Sequence, residues 1–248
     1  MTRRRTKAAI AKSQVEGENV ETENNEKWLK KIVSPKALKD IKLTDKQNQL
    51  IEVIDKNNII FIVGPAGTSK TFASCYYAIN CLKTHKYEKI ILTKPVQEAG
   101  ENLGFLPGSI DEKIAPHYES FVTNILKFID KKTLERNYKD GVIENKPLAY
   151  MRGANFDDCL IIGDEFQNAD IRALIMFITR MGKNSKVIIC GDVSQHDIGK
   201  DFVALEYLIK LIGDVQGVGV FRFSEEDIMR HPILIEITKR YEKAKRED

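Results

Sequence analysis

Residues 59–71 read IIFIVGPAGTSKT: an unbroken apolar run, 59–63, then the loop Gly64–Thr71, which opens a segment, 70–83, with helical character. A strand, a loop and a helix in that order form a phosphate-binding loop, because successive backbone N–H groups and a helix N-terminus converge on an anion. On this reading Gly64, Pro65, Ala66, Gly67, Thr68 and Ser69 wrap the phosphates. Lys70 reaches the β- and γ-phosphates as a point charge, and Thr71 sets its hydroxyl on Mg2+. The usual spacing GxxxxGK[ST] has glycine where this chain has Ser69. A Cβ is harmless there if the residue is already helical and costly if the loop must approach the β-phosphate closely. The first of these is the expectation. A Gly-rich turn between strand and helix is the plainer reading, and it leaves the Lys-Thr pair unexplained.

Outward from this loop the chain alternates apolar runs with amphipathic segments. Strands are predicted at 59–63, 89–93, 158–163, 186–190 and 217–223, and helices at 44–56, 70–83, 111–129, 170–181, 201–212 and 232–245. The alternation predicts an α/β fold, a mostly parallel sheet with helices on both faces. Residues 131–148, KKTLERNYKDGVIENKPL, are charged and turn-rich and read as an insertion resembling a β-hairpin around Lys139-Asp140-Gly141. Residues 1–26 hold Arg3-Arg4-Arg5 and little apolar content, which predicts a disordered tail, either a solvated one or a nucleic-acid arm. The folded domain is expected over 27–248.

The 248 residues suit one large core, and two full domains would be cramped. With 39 basic and 36 acidic residues the net charge is +3, so any nucleic-acid binding must come from local patches. No apolar run approaches the ~20 residues that span a bilayer, and the N-terminus lacks the apolar core of a signal peptide. The expectation is a cytoplasmic protein with no membrane partner. Cys75, Cys81, Cys159 and Cys190 show no metal-ligand spacing and read as reduced core residues.

Two carboxylates, Asp164 and Glu165, follow the apolar run that ends at Gly163, about 95 residues beyond the phosphate loop. The carboxyl edge of an open α/β sheet is where ligands bind. Asp164 would hold the Mg2+ of the nucleotide through its water shell, and Glu165 would orient and activate the attacking water. The next predicted strand ends in GDVSQ, whose Gln195 can bond the γ-phosphate or the water, or merely belong to a capping loop. Thr44 reads as an N-cap, and the Gln47 amide, one donor pair and one acceptor, is suited to the adenine edge unless it is only an exposed helix glutamine.

With these pieces in place the chain resembles the PhoH-like ATPase family, related to the superfamily 1 helicase core. The stretches that carry the resemblance are LTDKQ, GPAGTSKT, ILTKPVQEAGENLGFLPG, AYMRGANFDDCLIIGDEFQNA, CGDVSQHDI and MRHPI, between residues 43 and 235. The compact form is similar to versions carried by bacteriophages. The resemblance implies a single RecA-like P-loop domain, ATP and Mg2+ as cofactors, a ring-shaped homo-oligomer such as a hexamer, and action on RNA or single-stranded nucleic acid. It carries Lys70 and Thr71 to phosphate and metal, Asp164 and Glu165 to metal and water, and Gln195 to the γ-phosphate. The chain departs from the family pattern at Ser69 in place of Gly, Lys94 in place of Arg, Gly163 in place of an aliphatic residue and Phe166 in place of Ala. Lys94 keeps the charge and loses the bidentate fork.

A phosphoryl-transfer site gains from an arginine on the transferring group. Arg152, Arg180 and Arg230 are the candidates, and Arg230 is preferred as one that completes a neighbour's site. Two alternatives to an ATPase stay open at this point: a nucleotide-gated binding protein with little turnover, and a small-molecule phosphotransferase.

Overall fold

A computed structural model describes residues 41–95, 115–192 and 204–231, together with 233, 234, 236, 237 and 240. The Gly-rich stretch 98–108, Gln195, the tail 1–26 and most of the helix expected at 232–245 lie outside the described residues. Among the described residues six strands form one sheet: β1 (Ile59–Val63), β2 (Lys89–Thr93), β3 (Ile143–Asn145), β4 (Cys159–Gly163), β5 (Lys186–Gly191) and β6 (Val218–Arg222), in the spatial order β3-β2-β4-β5-β1-β6. Every pairing between them is parallel. Parallel neighbours need a crossover: α1 (Asp45–Lys56) precedes β1, and α2 (Lys70–Lys83), α3 (Glu119–Ile125), α4 (Lys131–Lys139), α5 (Ile171–Ile178) and α6 (Ala204–Ile212) lie in the connections between strands.

Side chains that alternate along a strand divide the interior into two cores. On β1, Ile60 and Ile62 join α1 and α2 residues such as Leu50, Ile54 and Ile79, whereas Phe61 and Val63 face Leu174, Phe177, Leu205 and Leu208 of α5 and α6. A strand buried on both faces has no polar side to show, which is why β1, β4 and β5 read as continuous apolar runs.

Residues 131–148 do not form a hairpin. Asp130 caps α4, its carboxylate accepting from the Thr133 N–H at 2.9 Å. The Asp140-Gly141 signal is the end of that helix: Gly141 has φ 67° and its N–H donates to the Tyr138 carbonyl at 3.1 Å. The chain then enters β3, a three-residue edge strand in which Ile143 pairs with Ile90 of β2. A turn signal flanked by short apolar pieces fits a hairpin and a helix cap equally well, and the helical spacing of Leu134, Asn137 and Tyr138 decides for the cap.

Of the predicted helix 111–129, the described part is a 3-10 turn at Ala115–Tyr118 leading into α3, which ends at Ile125. All four cysteines are free and buried, and burial pushes the Cys190 thiol up to about 12. Among the described residues no helix is long and apolar enough to cross a membrane.

Candidate nucleotide site

Because all strands run the same way, the ends of β1, β4 and β5 deliver their loops to one edge of the sheet. Backbone ladders tie these ends together: the Gly64 N–H donates to the Gly191 carbonyl at 3.2 Å, and that of Asp164 to the Thr93 carbonyl at 3.0 Å. Between them opens a cavity of about 560 Å³, lined by Gln47, Gly67, Ser69, Lys70, Thr71, Asp164, Glu165, Asp192, Met229 and Arg230 among others. That volume is in the range of a small-molecule site.

Thr71 and Asp164 meet across 93 residues of sequence, the Thr71 hydroxyl donating to Asp164 Oδ2 at 3.0 Å. A hydroxyl and a carboxylate are the hard oxygen donors that suit Mg2+. Burial pushes the Asp164 carboxyl above its ordinary value, while Lys94 and Thr71 act against that rise. Lys94 Nζ lies 3.2 Å from Asp164 Oδ2, almost wholly covered, and also sits over the Phe121 ring. The departure from arginine at 94 therefore places an ammonium beside the buried carboxylate.

Lys70, the first residue of α2, is folded back on its own loop. Its Nζ donates to the carbonyls of Gly64 at 2.6 Å and Pro65 at 2.8 Å. Thr68 is buried and its hydroxyl closes the loop by donating to the Pro65 carbonyl at 2.8 Å. Of the loop residues, Gly64 is buried and Pro65, Ala66 and Gly67 are half-buried.

Ser69 is not helical. Its φ of 66° and ψ of 25° lie in the left-handed region, which costs a residue with a Cβ about 1–2 kcal/mol. The expectation that this position had already entered the helix is corrected: α2 begins one residue later, and the glycine usual in the pattern answers to that φ. Here the hydroxyl offers compensation, accepting from Gln47 Nε2 at 2.8 Å and donating to the Thr68 carbonyl at 2.6 Å.

Gln47 is buried, so the exposed-glutamine reading is set aside. It closes a capping box with Thr44: Gln47 Oε1 accepts from the Thr44 N–H at 2.9 Å and the Thr44 hydroxyl from the Gln47 N–H at 3.2 Å. Its amide also reaches Met229 Sδ at 3.7 Å.

Glu165 likewise adopts the left-handed region, φ 59°, as it leaves β4. Two residues on, Gln167 bridges: Nε2 donates to Glu165 Oε2 at 2.7 Å and Oε1 accepts from the Asp192 N–H at 2.9 Å. Sequence reasoning assigned no role to Gln167 or Asp192. The one signal present was an amide placed where two strand ends converge. Two further departures explain each other. A Cβ on Gly163 would collide with the Phe166 ring, which is fully buried and packs against Phe177 with centroids 4.6 Å apart.

Of the three arginines, Arg180 caps α5, with Nε on the Met176 carbonyl at 3.1 Å and Nη1 on the Ala154 carbonyl at 2.9 Å. Arg152 is exposed and does not line the cavity. Arg230 lies in this chain's own cavity, its Nε 2.6 Å from where a Cβ on Gly67 would stand, and the neighbouring Met229 N–H donates to the Gly67 carbonyl at 2.9 Å. The structure thus brings Lys70, Thr71, Asp164, Glu165, Gln47 and Arg230 together within one chain.

A family model described as PhoH-like protein matches residues 41–242. A PhoH-like protein of Bacillus subtilis is 38% identical over 198 residues, 79% of this chain and 62% of the relative, and protein PhoH of Escherichia coli K12 is 34% identical over 187 residues, 74% and 53%. The chain therefore spans between half and two thirds of the length of these relatives. Among solved structures, the large terminase of a thermophilic bacteriophage superposes with a TM-score of 0.52 at 13% identity, over 81% of this chain and half of that one. At that identity the likeness is one of fold, the RecA-like P-loop architecture.

Proposed function

The chain belongs to the PhoH-like family, and from that premise we propose that it binds ATP with Mg2+ and hydrolyses it. The observation that carries this reading is the 3.0 Å bond between Thr71 and Asp164, which joins the phosphate loop to the acidic end of β4 at the mouth of one cavity.

In this reading the backbone of Gly64–Ser69 holds the β-phosphate, and Lys70 exchanges the carbonyls of Gly64 and Pro65 for phosphate oxygens. Thr71, and Asp164 through the metal's water shell, would hold Mg2+, which would supply charge neutralisation to the phosphates. Glu165 accepts a proton from the attacking water as its oxygen bonds to the γ-phosphorus, the bond to the bridging oxygen breaks, and ADP and phosphate result. Gln47 turns to the base by releasing the Met229 sulfur, Arg230 faces the phosphates, and Gln195 belongs to the segment that follows β5.

Two finer parts rest on the family resemblance. The hydrolysis drives remodelling of RNA or single-stranded nucleic acid, and the chain works as a homo-oligomer, because the described residues make a single RecA-like lobe. A second reading, a nucleotide-gated binder with slow turnover, is favoured by one feature: Lys70 and Asp164 are both already engaged, with loop carbonyls and with Lys94.

Phosphate release by the full chain, with and without single-stranded RNA, tests these together. Lys70→Ala is expected to weaken ATP binding, and Glu165→Gln to retain binding while slowing turnover about a hundredfold or more. Binding unchanged in the first variant, or lost in both, overturns the assignment. Tight binding without phosphate release by the unaltered chain establishes the gated reading.

A further inference from the structure

We infer that Gln167 is a positioning residue for Glu165, a role that rests on the ATPase reading above and extends it. The bridge it makes has only one polarity open to it. The Asp192 N–H is a donor and must meet the amide oxygen, at 2.9 Å, so the amide nitrogen is left facing Glu165 Oε2, at 2.7 Å.

Glu165 needs such a partner. It is exposed, and its backbone turns through the left-handed region, so neither packing nor a helix holds its side chain. Gln167, by contrast, stands on firm ground. The 3-10 turn Phe166–Asn168 that carries it is anchored by the buried Phe166 ring, and its oxygen is bonded to the end of β5. One carboxylate oxygen is thereby fixed, and the other is left to accept the proton of water. The same amide links the acid to Asp192 and so ties the ends of β4 and β5 at the point where water must be held.

The reacting groups of an enzyme lose about a hundredfold in rate for a misplacement of the order of 1 Å. Gln167→Glu keeps an acceptor for the Asp192 N–H and turns the arm facing Glu165 from donor to acceptor. Gln167→Met removes both arms at similar length. In the full-length chain each is expected to lower kcat for ATP about ten- to a hundredfold, with KM and ADP affinity within about twofold. In a Glu165→Gln background, Gln167→Met is expected to leave the residual single-turnover rate unchanged, because Gln167 acts through the acid that has gone. Should Gln167→Glu fail to fold, the Gln167→Met pair of measurements decides alone. An equal loss in both backgrounds, a rise in KM at constant kcat, or no effect overturns the inference. Absence of phosphate release from the unaltered chain is seen before any variant is made and overturns the ATPase reading, and this inference with it.

Discussion

Gln47 Nε2 donates to Ser69 Oγ at 2.8 Å, tying α1 directly to the turn of the phosphate loop. Glycine at 69 would satisfy the backbone and offer no such acceptor. The serine trades conformational ease for a bond, and the two contributions are of similar size: about 1–2 kcal/mol of left-handed strain against about 0.5–1.5 kcal/mol for the hydrogen bond, since the Gln47 amide keeps its contact with Met229 Sδ.

That balance predicts an order among variants. Ser69→Gly loses the bond and relieves the strain, so its stability should stay within about 1 kcal/mol of the unaltered chain. Ser69→Ala loses the bond and keeps the strain, and should unfold at the lowest denaturant midpoint of the three, about 1–2 kcal/mol below Ser69→Gly. Equal midpoints for alanine and glycine would show that residue 69 does not hold a positive φ.

Much of this site was legible in the sequence because each signal there is a local one. The apolar run 59–63 and the Lys-Thr pair locate β1 and α2, and Asp164 and Glu165 fall at the end of β4 where a buried strand must stop. What escaped is what depends on contacts between distant residues or on a dihedral. Serine does not announce a left-handed φ, three residues of β3 carry too little pattern to separate from a loop, and Lys94 shows its partner only when β2 and β4 lie side by side. Gln167 was in view in the same run as Glu165, yet its role needs β5.

Gly163 and Phe166 give a prediction of the same kind. The ring fills the space that an aliphatic side chain at 163 would take. Gly163→Val is expected to destabilise the fold by about 1–3 kcal/mol through overpacking. Phe166→Ala alone should cost about 3–5 kcal/mol by opening a cavity beside Phe177. The double variant, which sets a small residue at 166 beneath an aliphatic one at 163, should be more stable than the sum of the two losses by at least about 1 kcal/mol. Strict additivity in urea unfolding would mean that the two positions do not share space.

The last prediction concerns the direction in which Arg230 works. As read from the sequence it reaches into a neighbour's site, whereas in the structure it packs on Gly67 of its own phosphate loop, held there by the Met229 N–H on the Gly67 carbonyl. An arginine that serves its own site cannot be supplied by another subunit. Arg230→Ala is therefore expected to lower turnover by about a thousandfold, the scale of an arginine finger, and mixing it with Glu165→Gln should restore nothing beyond the sum of the two preparations. A finger acting across an interface gives the opposite result, because a mixed assembly then contains sites with an intact acid and an intact arginine. Activity that rises on mixing, in parallel with the formation of mixed assemblies, would place Arg230 in the neighbouring site and show that the contact with Gly67 is given up when subunits meet.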